Sequence, residues 1–142
     1  KLFIKKSNPI LTPNIPEAEI LTGTKIKKIS DMEKACKIIL NLGASNVILK
    51  GGHLDAEEIT DVLIGDNISY KIKAIKAITN HTHGTGCTMA AALSAGIAQS
   101  FKIEDAFKMA HSYVNKAIAT APKFGNGNGP INHCHSITVF QY

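Results

Sequence analysis

An α/β fold built on a parallel sheet is the class this sequence predicts, and three features carry the expectation. Between Pro9 and Leu49 a short strand-like run, two helical stretches and an all-apolar strand follow one another. Two strand-like runs then flank Gly65-Asp66-Asn67, and two long helical stretches fill most of 85–120. Strand, helix and strand in that order make a right-handed βαβ crossover the expected connection.

Each element has a local reason. Pro9-Ile10-Leu11-Thr12-Pro13 is a short apolar run with proline at both ends, which suits a brief buried strand entering a turn. Pro16 fits a first helical turn, Glu17 to Leu21 continues it, and Gly23 stops it. Ser30 and Glu33 have the spacing of a capping box, and Met32, Ala35, Cys36, Ile39 and Leu40 then share one helical face up to Gly43. Val47-Ile48-Leu49 reads as a strand buried on both faces. Ile59–Ile64 and Ile68–Ile75 read as a hairpin that extends the sheet at one edge. Thr85–Gln99 and Ile103–Thr120 follow as helices, the second with Glu104 and Asp105 in its first turn, where the helix dipole favours them. Gly125-Asn126-Gly127-Asn128-Gly129-Pro130 reads as a flexible loop or tail.

Composition narrows the class of function. The chain has 142 residues, 44% of them hydrophobic and 19% charged, which suits one globular domain over 1–142 and not a disordered chain. No apolar run approaches the ~20 residues of a membrane helix, and no signal peptide is evident. Three cysteines do not make an even disulfide framework, so a reducing, cytoplasmic setting is expected. The net charge is +5, but all 16 basic residues are Lys. Nucleic-acid readers favour the planar fork of Arg, so the excess is better read as the bias of an AT-rich genome.

Three segments carry chemistry. His83-Gly84-Thr85-Gly86-Cys87-Thr88 stands between a strand-like run and an Ala-rich helix. Its glycines let successive N–H groups turn one way, and at a helix N-terminus such groups form an anion site. Cys87 falls in the first turn, where a thiol is typically acidified. The plainer reading is a glycine turn that opens a helix. The run is not a Walker loop, because no Gly-Lys-Ser/Thr closes it, and Met89 stands where a dinucleotide fingerprint needs its third glycine. Lys50-Gly51-Gly52-His53 follows a strand at the end where α/β sheets bind ligands, so Lys50 can neutralise a phosphate; a Gly-Gly turn with a solvated Lys is the alternative. Asn14 and Glu17 can share one face at a helix start and hold Mg²⁺ through water, or simply cap the helix. His81, His83 and Cys87, and likewise His133, Cys134 and His135, do not match a closed zinc pattern.

Taken in order, Leu11-Thr12-Pro13-Asn14-Ile15-Pro16-Glu17-Ala18-Glu19, Lys50-Gly51-Gly52-His53 and Thr82 to Thr88 resemble the hydroxymethylpyrimidine/phosphomethylpyrimidine kinases of thiamin biosynthesis, in the ribokinase-like superfamily. The segment Gly127-Asn128-Gly129-Pro130-Ile131-Asn132-His133 is similar to that family's closing Gly-His-Gly-Pro-Val-Asn-His. The resemblance implies the C-terminal part of a three-layer α/β/α fold, because family members are about twice as long. It implies ATP and Mg²⁺ as cofactors and a small-molecule substrate, hydroxymethylpyrimidine or its monophosphate. Gly84, Thr85 and Gly86 would form the anion hole and Cys87 the catalytic base. Lys50 would contact ATP phosphates, and Asn14 and Glu17 would lie near Mg²⁺ and phosphate. A homodimer or a complementing N-terminal chain is the implied partner. His81 and Asn128 depart from the family pattern, which has Asn and His there. A non-catalytic nucleotide-binding remnant and a hydroxyethylthiazole kinase are the competing readings.

Overall fold

The computed structural model describes residues 2–52 and 58–137. They fall into two compact units, Lys1–Lys76 and Ala77–Tyr142. Among the described residues, no helix is long and apolar enough to cross a membrane.

The first unit carries the sheet. Its elements are α1 (Leu2–Ser7), β1 (Ile10–Leu11), α2 (Ile15–Thr22), α3 (Ile29–Asn41), β2 (Asn46–Leu49), β3 (Glu58–Gly65) and β4 (Ser69–Ile75). The strands lie in the order β1-β2-β3-β4. β1 runs parallel to β2, with Ile10 opposite Asn46, as the βαβ reading expects. β3 is antiparallel to both β2 and β4, so the sheet is mixed and its parallel part is a single pair. The hairpin turns where expected, with Gly65 N–H donating to Ile68 O at 2.9 Å.

The core follows the helical stripe of α3. Met32, Ala35, Cys36 and Ile39 are fully buried, against Val47 and Leu49 of β2 and Val62 and Ile64 of β3. Ile48 and Leu63, on the alternate positions of the same strands, are also fully buried, which is the two-faced burial expected of an all-apolar strand.

Two local expectations are corrected. α3 begins at Ile29, with Lys28 as N-cap and no side-chain cap, so Ser30 and Glu33 form no capping box. Asp31 Oδ2 accepts from Lys27 N–H at 3.2 Å, and Glu33 pairs with Lys71. β1 is two residues long and half-buried, not buried, at the edge of the sheet. α1, which precedes the elements expected from the sequence, is a six-residue helix that buries Ile4.

The second unit is a helical pair, α4 (Thr85–Ala98) and α5 (Ile103–Ala119). Met89 and Leu93 of α4 are buried, as are Ala106, Phe107, Ala110, Val114 and Ala117 of α5. The segment Gly125–Pro130, expected as a flexible loop or tail, is exposed over 125–128 and tied down from Gly129 onward. His83 N–H donates to Gly129 O at 3.1 Å, and Asn132 N–H to Ala117 O at 2.9 Å. Ile131 is 2% exposed, so an apolar anchor, rather than the surrounding glycines, decides the path.

Candidate active site

In the first unit the chain leaves the parallel pair β1 and β2 at their carboxyl ends, and the loops there bring three expected residues together. Asn14 and Lys50 form a parallel bridge, and Lys50 N–H donates to Pro13 O at 3.0 Å. Asn14 is the N-cap of α2. Its Oδ1 accepts from Glu17 N–H at 2.8 Å, and Glu17 Oε2 accepts from Asn14 N–H at 2.8 Å. The capping reading of this pair is therefore realised in full. Gly23 closes the helix in the left-handed conformation, as expected.

The turn after Lys50 is held by a residue that sequence reasoning missed. Asp61, 5% exposed on β3, accepts from Gly51 N–H at 2.8 Å. A Cβ on Gly51 would fall on Thr60 O, so the close approach of the turn to β3 requires glycine here. The signal was a lone acid in the run Ile59-Thr60-Asp61-Val62-Leu63-Ile64, since a buried carboxylate needs donors. His53, the last residue of the expected motif, lies outside the described residues.

In the second unit the turn into α4 is open. Gly84 is the N-cap, with φ +91°, and no side chain caps the helix. That conformation is routine for glycine and rare for any other residue. Thr85 turns inward: its Oγ1 donates to Thr82 O at 2.6 Å. Thr88 Oγ1 and N–H both donate to Gly84 O at 2.9 Å. Among the described residues, no acceptor meets the N–H groups of Gly86 and Cys87. Cys87 itself is an exposed free thiol in the first turn. Two unpaired donors, the positive end of a helix and an exposed thiol thus share one place.

Beside this turn lies a cavity of about 680 Å³. Gly84 and Cys87 stand on it, Ala91, Ala95 and Met109 make it apolar, and Tyr113 and His133 complete its polar rim. Tyr113 Oη donates to His133 O at 2.8 Å. The other thiol that the sequence placed in a core is there: Cys36 is fully buried. Burial first, and the Glu33 carboxylate second, push its thiol from 9.0 up to about 12.

Residues 2–132 match the family described as phosphomethylpyrimidine kinase. The chain belongs to that family. A hydroxymethylpyrimidine/phosphomethylpyrimidine kinase of Bacillus subtilis (strain 168) is 43% identical over 134 residues, which are 94% of this chain and 49% of that protein. The chain thus spans about half the length of the family relatives it matches. Among solved structures, the pyridoxal kinase of Staphylococcus aureus in complex with AMP-PCP matches with a TM-score of 0.88 and 34% identity, over 96% of this chain and 52% of that one. The phosphomethylpyrimidine kinase of Clostridium difficile 630 matches with a TM-score of 0.67 and 39% identity, over 82% and 47%. The α/β, ribokinase-like fold expected from the sequence is the fold of these kinases. Within this kinase family fold, Asn14, Glu17 and Lys50 gather in the first unit, and Gly84, Thr85, Gly86 and Cys87 in the second.

Proposed function

We propose that this chain is the phosphate-holding part of a hydroxymethylpyrimidine/phosphomethylpyrimidine kinase and carries the base for phosphoryl transfer. The reading rests on one observation above all: the unpaired N–H groups of Gly86 and Cys87 beside an exposed thiol. Residues 1–142 are read as part of a single ribokinase-like domain.

The reaction passes the γ-phosphoryl of ATP to the hydroxymethyl oxygen of the pyrimidine. The new P–O bond forms as the bond to ADP breaks, and the hydroxyl proton goes to Cys87 Sγ, which takes it in its thiolate form. A second transfer to the monophosphate gives the diphosphate. Phosphoryl transfer leaves the protein little covalent work, so positioning and charge stabilisation dominate. The turn into α4 supplies the N–H donors of Gly86 and Cys87 where equatorial oxygen charge develops, while the Thr85 N–H is engaged by Thr82 O at 3.2 Å. Lys50 neutralises the ATP phosphates. The AMP-PCP complex of the S. aureus relative supports nucleotide binding here.

Mg²⁺ fits the first-unit loop in a limited way. The capping box engages one Glu17 oxygen and the Asn14 amide oxygen, which leaves Glu17 Oε1 for a hydrated ion. Among the described residues no group of three or more His, Cys, Asp or Glu could hold a metal. Mg²⁺ is commonly held by one or two carboxylates, waters and substrate phosphates, so Asn14 and Glu17 would hold it through water, and it would offset phosphate charge. A homodimer or a complementing N-terminal chain is the proposed partner. The setting is cytoplasmic, where ATP and free thiols coexist.

Pyridoxal is the second candidate alcohol, because the S. aureus pyridoxal kinase superposes better than the C. difficile pyrimidine kinase. The test is ADP release from ATP and Mg²⁺ with hydroxymethylpyrimidine, its monophosphate or pyridoxal. It is run on the chain alone and with the complementary half supplied in trans, beside Cys87→Ala. Turnover that needs the pyrimidine and vanishes in the variant is expected. Turnover on pyridoxal alone moves the substrate, and turnover indifferent to Cys87→Ala removes the base.

A further inference from the structure

We propose that His133 contacts the phosphoryl group directly, its ring N–H donating to an oxygen held at the Gly86 and Cys87 amides. This extends the anion-site reading above and rests on it. The ring stands at the turn: a Cβ on Gly84 would lie 4.0 Å from His133 Nε2. His133 and Cys87 border the same cavity, and no acidic side chain lines it. The backbone around His133 is fixed from three sides. Tyr113 Oη donates to His133 O at 2.8 Å, Asn132 N–H donates to Ala117 O at 2.9 Å, and Cys134 N–H donates to Asn132 Oδ1 at 2.9 Å.

The residue is exposed, so its ring is open to a ligand from solvent. Among the described residues neither nitrogen of His133 has a hydrogen-bond partner, whereas the rings of His111 and His135 meet Asn115 and the Tyr113 carbonyl. An imidazole anchored by its backbone, beside Gly84 and on the cavity that Cys87 also lines, completes a three-donor cradle for a tetrahedral oxyanion. Its role is binding and orientation of the phosphoryl group; the hydroxyl proton still goes to Cys87.

Nitrogen-15 NMR with inorganic pyrophosphate as probe, on the full chain, tests this. Expected is a joint shift of the Gly86 and Cys87 amides and of the His133 side-chain nitrogens, at one affinity. His133→Ala weakens binding about tenfold, the worth of one charge-assisted hydrogen bond, and His133→Gln, which keeps a donor, recovers most of it. The Asn132 amide reports in each variant that the segment is still docked. If the Gly86 and Cys87 amides move while His133 does not, or His133→Ala binds as well as the parent, the His133 contact is overturned and the anion site stands. If neither amide moves, both are overturned.

Discussion

Two helix N-termini in this molecule finish in opposite states. At α2, Asn14 and Glu17 satisfy each other's backbone donors at 2.8 Å each, and Pro16 in the first turn has no N–H to satisfy. At α4, the cap is a glycine with no side chain, and the donors of Gly86 and Cys87 stay open. A capped terminus contributes about 1 kcal/mol of stability. An uncapped one forgoes that contribution and keeps its N–H groups for a ligand. The difference separates the two termini: the donors at Asn14 and Glu17 are spent on holding shape, and those of Gly86 and Cys87 are left open.

Substitutions should separate along that line. The largest effect is expected at the open turn. Cys87→Ala lowers phosphoryl transfer on the order of 10²–10⁴-fold, the usual range for losing a general base, while its melting temperature stays that of the parent. A variant that melts early but transfers normally would put Cys87 on the structural side.

Next comes the closed loop. Gly51→Ala drives a Cβ into Thr60 O, backbone that cannot swing aside. A loss of about 3 kcal/mol in urea unfolding is expected, at the upper end for overpacking. A smaller penalty follows from Asn14→Ala, about 1 kcal/mol by the same measurement, since one cap bond disappears. Unchanged stability in Asn14→Ala would reassign the amide to metal binding alone.

The smallest effect sharpens the contrast between thiols. Cys36 stays protonated in the fold up to about 12, against an ordinary 9.0. Above 9.0 the unfolded thiol ionises and the folded one does not, so the associated stability is intact below that pH and is lost as pH climbs toward 12. Alkylation at about pH 8 should label Cys87 and Cys134, which are exposed, and spare Cys36 until denaturant is added. Mass spectrometry of tryptic peptides reads the pattern, and early labelling of Cys36 would contradict its burial.

Much of this was legible because the signals were local. Pro16 and Gly23 bounded α2, the run Val47-Ile48-Leu49 announced a two-faced strand, and Gly84-Thr85-Gly86-Cys87 marked a helix start. What escaped was set by distant partners. The docking of 129–133 depends on Ile131 reaching a core and on Ala117 accepting from Asn132, which a glycine-rich sequence does not advertise. The start of α3 at Ile29 ignored the Ser30 and Glu33 pattern, since Glu33 finds Lys71 on β4 instead. Asp61 matters through what it touches, the Gly51 amide, so it did not stand out within its own segment. The antiparallel placing of β3 against β2 was equally non-local.

Hydrogen exchange at single amides, with and without Mg²⁺ and AMP-PCP, tests the contrast most directly. The amide of Glu17, bonded to Asn14 Oδ1, should exchange slowly and change little. The amides of Gly86 and Cys87 should exchange fast in the free chain and slow by about tenfold or more when nucleotide binds, as phosphate oxygens take up their donors. Slow exchange of Gly86 and Cys87 without nucleotide, or nucleotide protection confined to α2, would contradict an open anion site at α4.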